Sequence, residues 1–241
     1  MAQVGLSWKL ANHEAAFVVQ GNEVRVGYDM YGGSLLDADL QRGAGEPGHD
    51  TFREQFSIVG WKVGGADSVS LLCDGNGGRP AVIRVEGRDQ PSLILPPIDA
   101  LSPRPLNFRI VTDYILEPDT RLLRVRTSST NEGTRTWSSV AMGDLLLFGS
   151  ANLMFAPEVG FGDLAAASQS MVLTAADPSF PLRHVSYGFA STHGTLSMPI
   201  AEGGATGGIG DTVHTLIAGN TAVYERLFSV GRDLSGAMEP L

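Results

Sequence analysis

A chain of 241 residues that is 43% hydrophobic has the material for one large core, and its 30 glycines and 13 prolines point to short strands joined by many turns. The formal net charge of −9 argues against a phosphate-backbone partner, because nucleic-acid affinity rests on clustered Lys and Arg. The single cysteine, Cys73, excludes an intrachain disulfide and a cysteine-based zinc site, and no stretch approaches the roughly 18 apolar residues of a membrane span. The opening MAQVGLSWKL lacks the apolar run of a signal peptide, so the chain as it stands reads as soluble and, if exported, as already separated from its signal.

In chain order, apolar alternation around Gly21-Asn22 predicts a hairpin, with Phe17, Val18 and Val19 in one arm and Val24, Val26 and Tyr28 in the other. Residues 34–40 form a compact block, SLLDADL, and residues 41–50 are polar and Gly-rich, which predicts a loop. Two apolar runs, 69–73 and 81–85, flank Asp74-Gly75-Asn76-Gly77-Gly78, the clearest tight-turn signal in the chain. Five prolines between 90 and 107 predict an extended connection.

The segment 108–148 shows the strongest periodicity. Phe108, Ile110, Thr112, Tyr114 and Leu116 share one face of a first strand. Leu123, Val125, Thr127 and Ser129 then alternate with Arg124, Arg126, Ser128 and Thr130, and a third apolar strand follows Asn131-Glu132-Gly133. Period-two alternation broken by Pro/Asp and Asn/Gly turns predicts an antiparallel meander. Downstream, 164–171 predicts a short helix and strands recur at 185–190, 195–198, 214–218 and 223–230, while five glycines within 202–210 predict a mobile loop. With strand signals from Phe17 to Val230 and no independent linker, the expected architecture is all-β: one large two-sheet antiparallel sandwich over 1–241 with little helix.

Few residues stand out as chemistry. Asp37 and Asp39 share a face if their segment is a strand, and His49, Asp50 and Glu54 follow a loop away. Asp37, Asp39 and Asp50 are therefore the candidate Ca²⁺ ligands, against the reading that they satisfy backbone donors in a bulged turn. No two histidines have metal-ligand spacing, the Gly203–Gly208 stretch lacks the lysine of a phosphate loop, and there is no GxSxG elbow. Cys73 reads as a small core residue. Trp137 and the other aromatics would either line a sugar-stacking platform or fill the core. Asp144 lies in an otherwise apolar strand, where a carboxylate needs a partner. Arg124, Arg126 and Arg109 on neighbouring strands are the expected partners, in a structural ion pair or in a ligand contact that would also include Trp137.

Two blocks carry a family resemblance. One is GGSLLDADLQRGAGEPGHD with the downstream DGNGGRPAVIRVEG; the other is YILEPDTRLLRVRTSSTNEG, MGDLLLFG and FAPEVGFGD, with the closing TAVYERLFSVGRDLSGAMEPL. Together they resemble an N-terminal β domain of large bacterial secreted or surface proteins. Such proteins often continue into carboxypeptidase-regulatory-like modules and sometimes into a PHP-type metallohydrolase domain. The resemblance implies a galactose-mutarotase-like supersandwich. Where sugar mutarotases carry a catalytic histidine, this sequence reads Met142-Gly143-Asp144, so the fold similarity does not bring the activity with it. The expected role is a non-catalytic carbohydrate-binding or scaffolding module of a longer secreted protein, with no cofactor beyond Ca²⁺. The alternative is a carbohydrate-active enzyme of epimerase or lyase type.

Overall fold

The computed structural model describes residues 2–4, 7–23, 26–43, 45, 46, 48, 50–92, 104–149, 153–162, 164, 168–175, 185–197, 201, 202 and 206–241. Its strands are β1 (Ala2–Val4), β2 (Ser7–Ala11), β3 (Ala15–Gln20), β4 (Leu35–Leu40), β5 (Phe52–Val59), β6 (Lys62–Gly64), β7 (Ser68–Asp74), β8 (Ala81–Gln90), β9 (Phe108–Leu116) and β10 (Leu122–Asn131). There follow β11 (Trp137–Phe148), β12 (Leu153–Ala156), β13 (Gly160–Phe161), β14 (Ser168–Gln169), β15 (Met171–Ala175), β16 (Ser186–Ser191), β17 (Leu196–Ser197), β18 (Ala201–Glu202), β19 (Thr206–Leu216) and β20 (Thr221–Gly231). The α-helix α1 (Leu234–Met238) closes the chain and is capped by Asp233, whose Oδ1 accepts from the Gly236 amide at 2.8 Å. Among the described residues no helix is long and apolar enough to cross a membrane.

All pairings are antiparallel. One sheet runs β1-β2-β3-β4-β5-β11-β19, with β17 and β18 on the far edge of β19. The other runs β7-β8-β9-β10-β20-β16-β15-β12-β13. Short β6 joins the sheets at a corner by pairing with both β5 and the end of β8. The expected all-β sandwich is what the chain forms.

Alternation places one face of each strand between the sheets. In β20 the inward phase is Ala222, Tyr224, Arg226, Phe228 and Val230, all buried. Phe228 meets Phe17 and Phe52 of the opposite sheet, with ring centroids 6.1 and 5.3 Å apart, and Tyr187 stacks on it at 5.9 Å. The Tyr187 hydroxyl accepts from the Thr51 and Phe52 amides at 3.2 and 3.1 Å, so this aromatic wedge also locks the sheets in register. Each such side chain taken fully from water contributes roughly 1.5–3 kcal/mol.

The structure departs from the sequence expectations at five places. The three strands over 108–148 are not a meander: β9 pairs with β10, but β10 pairs next with β20, and β11 crosses to the other sheet between β5 and β19. Periodicity identifies strands and is silent on which strand lies beside which. The hairpin at Gly21-Asn22 does not close, because β3 takes β4 as its partner and Val26 to Ser34 form a loop; Val24 lies outside the described residues. In place of a helix over 164–171 there are β14 and the start of β15, with 165–167 outside the described residues. The glycine-rich 202–210 is largely strand: β18 pairs with β19, and Gly207, Gly208 and Gly210 pair with Leu146, Leu145 and Gly143. Glycine in a strand suits such close approach of a neighbouring backbone. Cys73 lies half-buried on the edge strand β7 and not in the core. His49, His184, Asp163 and the prolines at 96, 97 and 103 lie outside the described residues.

Candidate functional site: a carboxylate groove beside a filled interior

The buried centre between the sheets is polar. Asp144, 5% exposed, points inward from β11 and pairs with Arg226 of β20, whose side chain is 4% exposed. Gln55 donates to the same carboxylate oxygen. The guanidinium also donates to Ser57 Oγ at 2.8 Å and Thr127 Oγ1 at 2.6 Å, and its carbon sits 4.8 Å from the Tyr224 ring centroid. Burial pushes the Asp144 carboxyl upward and the Arg226 charge pulls it back. The pair and its hydroxyl and amide partners join the two sheets, while Gln55 Oε1 and Arg226 Nε stay buried without a hydrogen-bond partner among the described residues.

The predicted ligand set Asp144, Arg124, Arg126 and Trp137 is therefore not assembled. Arg124 and Arg126 occupy the outward phase of β10, where they face Glu117 at 3.8 Å and Glu225 at 3.9 Å, and Arg109 binds Glu86 at 2.6 Å. Trp137 begins β11, seven residues from Asp144. Sequence reading missed Arg226 as the partner although the signal was present: it is the one charged residue in the inward phase Ala222, Tyr224, Arg226, Phe228, Val230.

A second cluster faces outward. β4 and β5 share only the pair Leu35–Gln55, so beyond it the strands part. Register shifts at Val18/Val19, which leaves Leu36 of β4 without a partner in the ladder, and at Leu147/Phe148, which does the same for Arg53 of β5, break the ordinary alternation here. The opening is a groove of about 450 Å³ lined by Val26, Tyr28, Leu36, Asp37, Asp50 and Arg53, with Phe52 and Glu54 at its floor. Its size falls within the range of small-molecule sites. Val26 and Tyr28 stand 66% and 58% exposed at its rim.

The loop that brings Tyr28 there is anchored by Glu54. This buried carboxylate accepts from the Tyr28 amide, from the Asp29 amide at 3.1 Å and from Ser34 Oγ at 2.7 Å. A Cβ on Gly27 would strike it, which is why glycine stands at that position. Glu54 is thus fully used as a tether.

Of the three predicted metal ligands the structure brings two together. Asp37 and Asp50 are hydrogen-bonded to each other. Burial, and then the neighbouring negative charge of Asp50, pushes the Asp37 carboxyl up to about 7; burial raises Asp50 as well. Two carboxyls in contact hold a proton between them because both cannot ionise cheaply. Asp39 is turned to Arg42, which binds it through Nη2 at 2.9 Å and Nε at 3.1 Å. Among the described residues no group of three or more His, Cys, Asp or Glu could hold a metal. Ca²⁺ takes six to eight oxygens, so millimolar Ca²⁺ at pH 7 is expected to move the melting temperature by less than about 1 °C. A rise of several degrees in a thermal melt would show that the pair gathers further oxygens.

Comparison with known proteins bears on fold alone. A scan against family models found no match, and neither did a search of curated proteins. Solved structures are similar across nearly the whole chain. A variant of the GH36 α-galactosidase AgaA from Geobacillus stearothermophilus, solved with 1-deoxygalactonojirimycin, matches with a TM-score of 0.59 and 11% identity over 96% of this chain and 41% of that one. The galactosidase domain of the α-galactosidase–sucrose kinase AgaSK matches with 0.61 and 9% identity, over 95% and 41%. A protein described as a putative aldose 1-epimerase from Escherichia coli matches with 0.50 and 10% identity, over 94% and 99%. At 9–11% identity these likenesses define a fold, a large antiparallel β-sandwich shared with those structures. The chain spans about two fifths of the length of the α-galactosidases it matches.

Proposed function

We propose that this chain is a non-catalytic carbohydrate-binding module of a longer bacterial secreted or surface protein, holding a neutral sugar in the groove between β4 and β5. The observation that carries the reading is the outward-facing Asp37–Asp50 pair beside Arg53 and the exposed Tyr28. A carboxyl pair sharing one proton offers both a donor and acceptors, the guanidinium adds donors, and the phenol ring offers an apolar face. That combination matches the edge and face of a polyol ring. The similarity of the fold to α-galactosidases and an aldose epimerase supports the same class of ligand.

Binding is favoured over glycoside hydrolysis by the closeness of the pair. Two carboxyls that flank a scissile bond stand roughly 5–9.5 Å apart, and these two are in contact. The elevated Asp37 keeps an epimerase-type reading open as a second one, since a carboxyl poised near 7 is suited to proton transfer. A glycan array with the purified protein, followed by calorimetric titration of the best neutral glycan, tests the proposal. Asp37→Ala is expected to weaken binding at least about tenfold without lowering stability at pH 7, because it removes a carboxyl whose burial is unfavourable. Undiminished affinity in that variant would remove the groove from the function, and anomer interconversion by the wild type would replace binding with catalysis.

A further inference from the structure

At the opposite end of the same sheet lies a pocket of different character. Trp137 opens β11 and Phe148, beside the groove, ends it. Eleven residues of strand rise put the two ends roughly 35 Å apart. The pocket has a volume of about 220 Å³ and is lined by Arg104, Leu106, Asn107, Thr134, Arg135 and Trp137, together with Pro105 and Gly133.

Its charge is unexpected in an acidic protein. Among the described residues neither Arg104 nor Arg135 has a carboxylate partner, although Arg42, Arg79, Arg84, Arg88, Arg109 and Arg121 each have one. The Arg135 guanidinium lies over the Trp137 ring, 4.5 Å from its centroid. Phe108 packs on the indole as well, at 6.4 Å. The ring therefore supports the arginine. A guanidinium stacked this way keeps its N–H fork in its own plane, free for a planar oxyanion.

Both loops that form the pocket are pinned from beneath. The Asp89 carboxylate accepts from the Leu106 and Phe108 amides, each at 2.7 Å, which holds the loop bearing Arg104 and Asn107. Asn107 itself adopts a left-handed φ of 60°, a conformation asparagine tolerates better than most residues. Buried Asn131 donates to the Arg135 carbonyl at 2.8 Å and accepts from the Gly133 amide at 3.0 Å, which holds the other loop. Positioning of this kind lowers the ordering cost of binding.

We propose that this pocket binds a carboxylate carried on a sugar ring, such as a uronic acid, with Arg135 and Arg104 on the carboxylate and Asn107 and Thr134 facing the ring hydroxyls. The oxyanion follows from the arginines alone. The ring that carries it rests on the carbohydrate reading above, and the volume suits one ring.

Calorimetric titration with glucuronate, glucose and acetate, on the wild type, Arg135→Gln and Asp37→Ala, tests it. Both altered side chains reach the surface, and a matched melting temperature verifies the fold. The expected result is saturable glucuronate binding, weakened at least about tenfold in Arg135→Gln and unchanged in Asp37→Ala. Glucose and acetate should each bind this pocket more weakly than glucuronate. No glucuronate binding, wild-type affinity in Arg135→Gln, or acetate equal to glucuronate would overturn the proposal. Loss of glucuronate binding in Asp37→Ala alone would overturn it too, while leaving the groove as the sugar site. Neutral-glycan affinity undiminished in Asp37→Ala, with glucuronate binding lost in Arg135→Gln, would instead count against the groove and leave this pocket standing.

Discussion

Replacing Asp144 by alanine is expected to destabilise the protein by about 3–5 kcal/mol, the usual cost of leaving one member of a buried ion pair uncompensated. Arg226 would keep Ser57 and Thr127 but lose its carboxylate partner, with its guanidinium still sealed between the sheets. Arg226→Met should cost a similar amount for the reciprocal reason. The double replacement Asp144→Leu with Arg226→Met removes both charges and keeps volume, so it should recover much of the loss. Pairs of this kind can be exchanged for apolar residues at little net cost. Urea unfolding of the two singles and the double is the check. Additive losses, with the double as damaged as the two singles combined, would mean that the pair does not work as a unit.

Stability is expected to fall as pH rises from 5 to 8, the reverse of ordinary acid sensitivity. Asp29 is buried, its Oδ2 has no hydrogen-bond partner among the described residues, and burial pushes its carboxyl up to about 7. Asp37 also stands at about 7, and burial raises Asp50, Glu54 and Asp144. A carboxyl raised in the folded state keeps its proton while the unfolded chain has already released it. Its contribution is therefore fully present below the unfolded value near 3.8 and is lost as pH climbs to about 7. For Asp29 the shift is worth roughly 4 kcal/mol, at about 1.4 kcal/mol per pH unit. Asp29→Asn keeps the shape without the charge and should be more stable than wild type at pH 8 and little different at pH 4. Denaturant midpoints across pH 4–8 decide it, and a stability that rises over that window in the wild type would contradict the assignment.

The strands and the two-sheet class were legible because alternation and turn chemistry are local. Leu123, Val125, Thr127 and Ser129 do line the inward face of β10. Strand neighbours were not legible: the Asn131-Glu132-Gly133 turn looks like a hairpin turn, yet it carries the chain from one sheet to the other. That error led directly to the wrong partners for Asp144, since Arg124 and Arg126 would flank it only if β10 lay beside β11. The groove was half legible. Asp37, Asp39 and Asp50 drew notice as carboxylates, but only the parting of β4 from β5 after a single pair joins two of them and frees Arg53 to face the same opening. Tyr28 could not be placed because its presumed strand is a loop tethered by Glu54, a contact across 26 residues. The pocket at Trp137 was hidden for a similar reason: the aromatic is visible in the sequence, whereas the loops bearing Arg104 and Arg135 meet only through Asp89 and Asn131.

The most direct measurement of the central claim is an amide NMR titration of the full chain with the tightest neutral glycan from the array. Binding in the groove predicts saturable shifts at the amides of Gly27, Tyr28, Leu36, Asp37 and Arg53, with those of Thr134, Arg135 and Trp137 unmoved. Shifts confined to any other surface, or none at concentrations where calorimetry reports binding, would contradict the assignment of the groove as the sugar site.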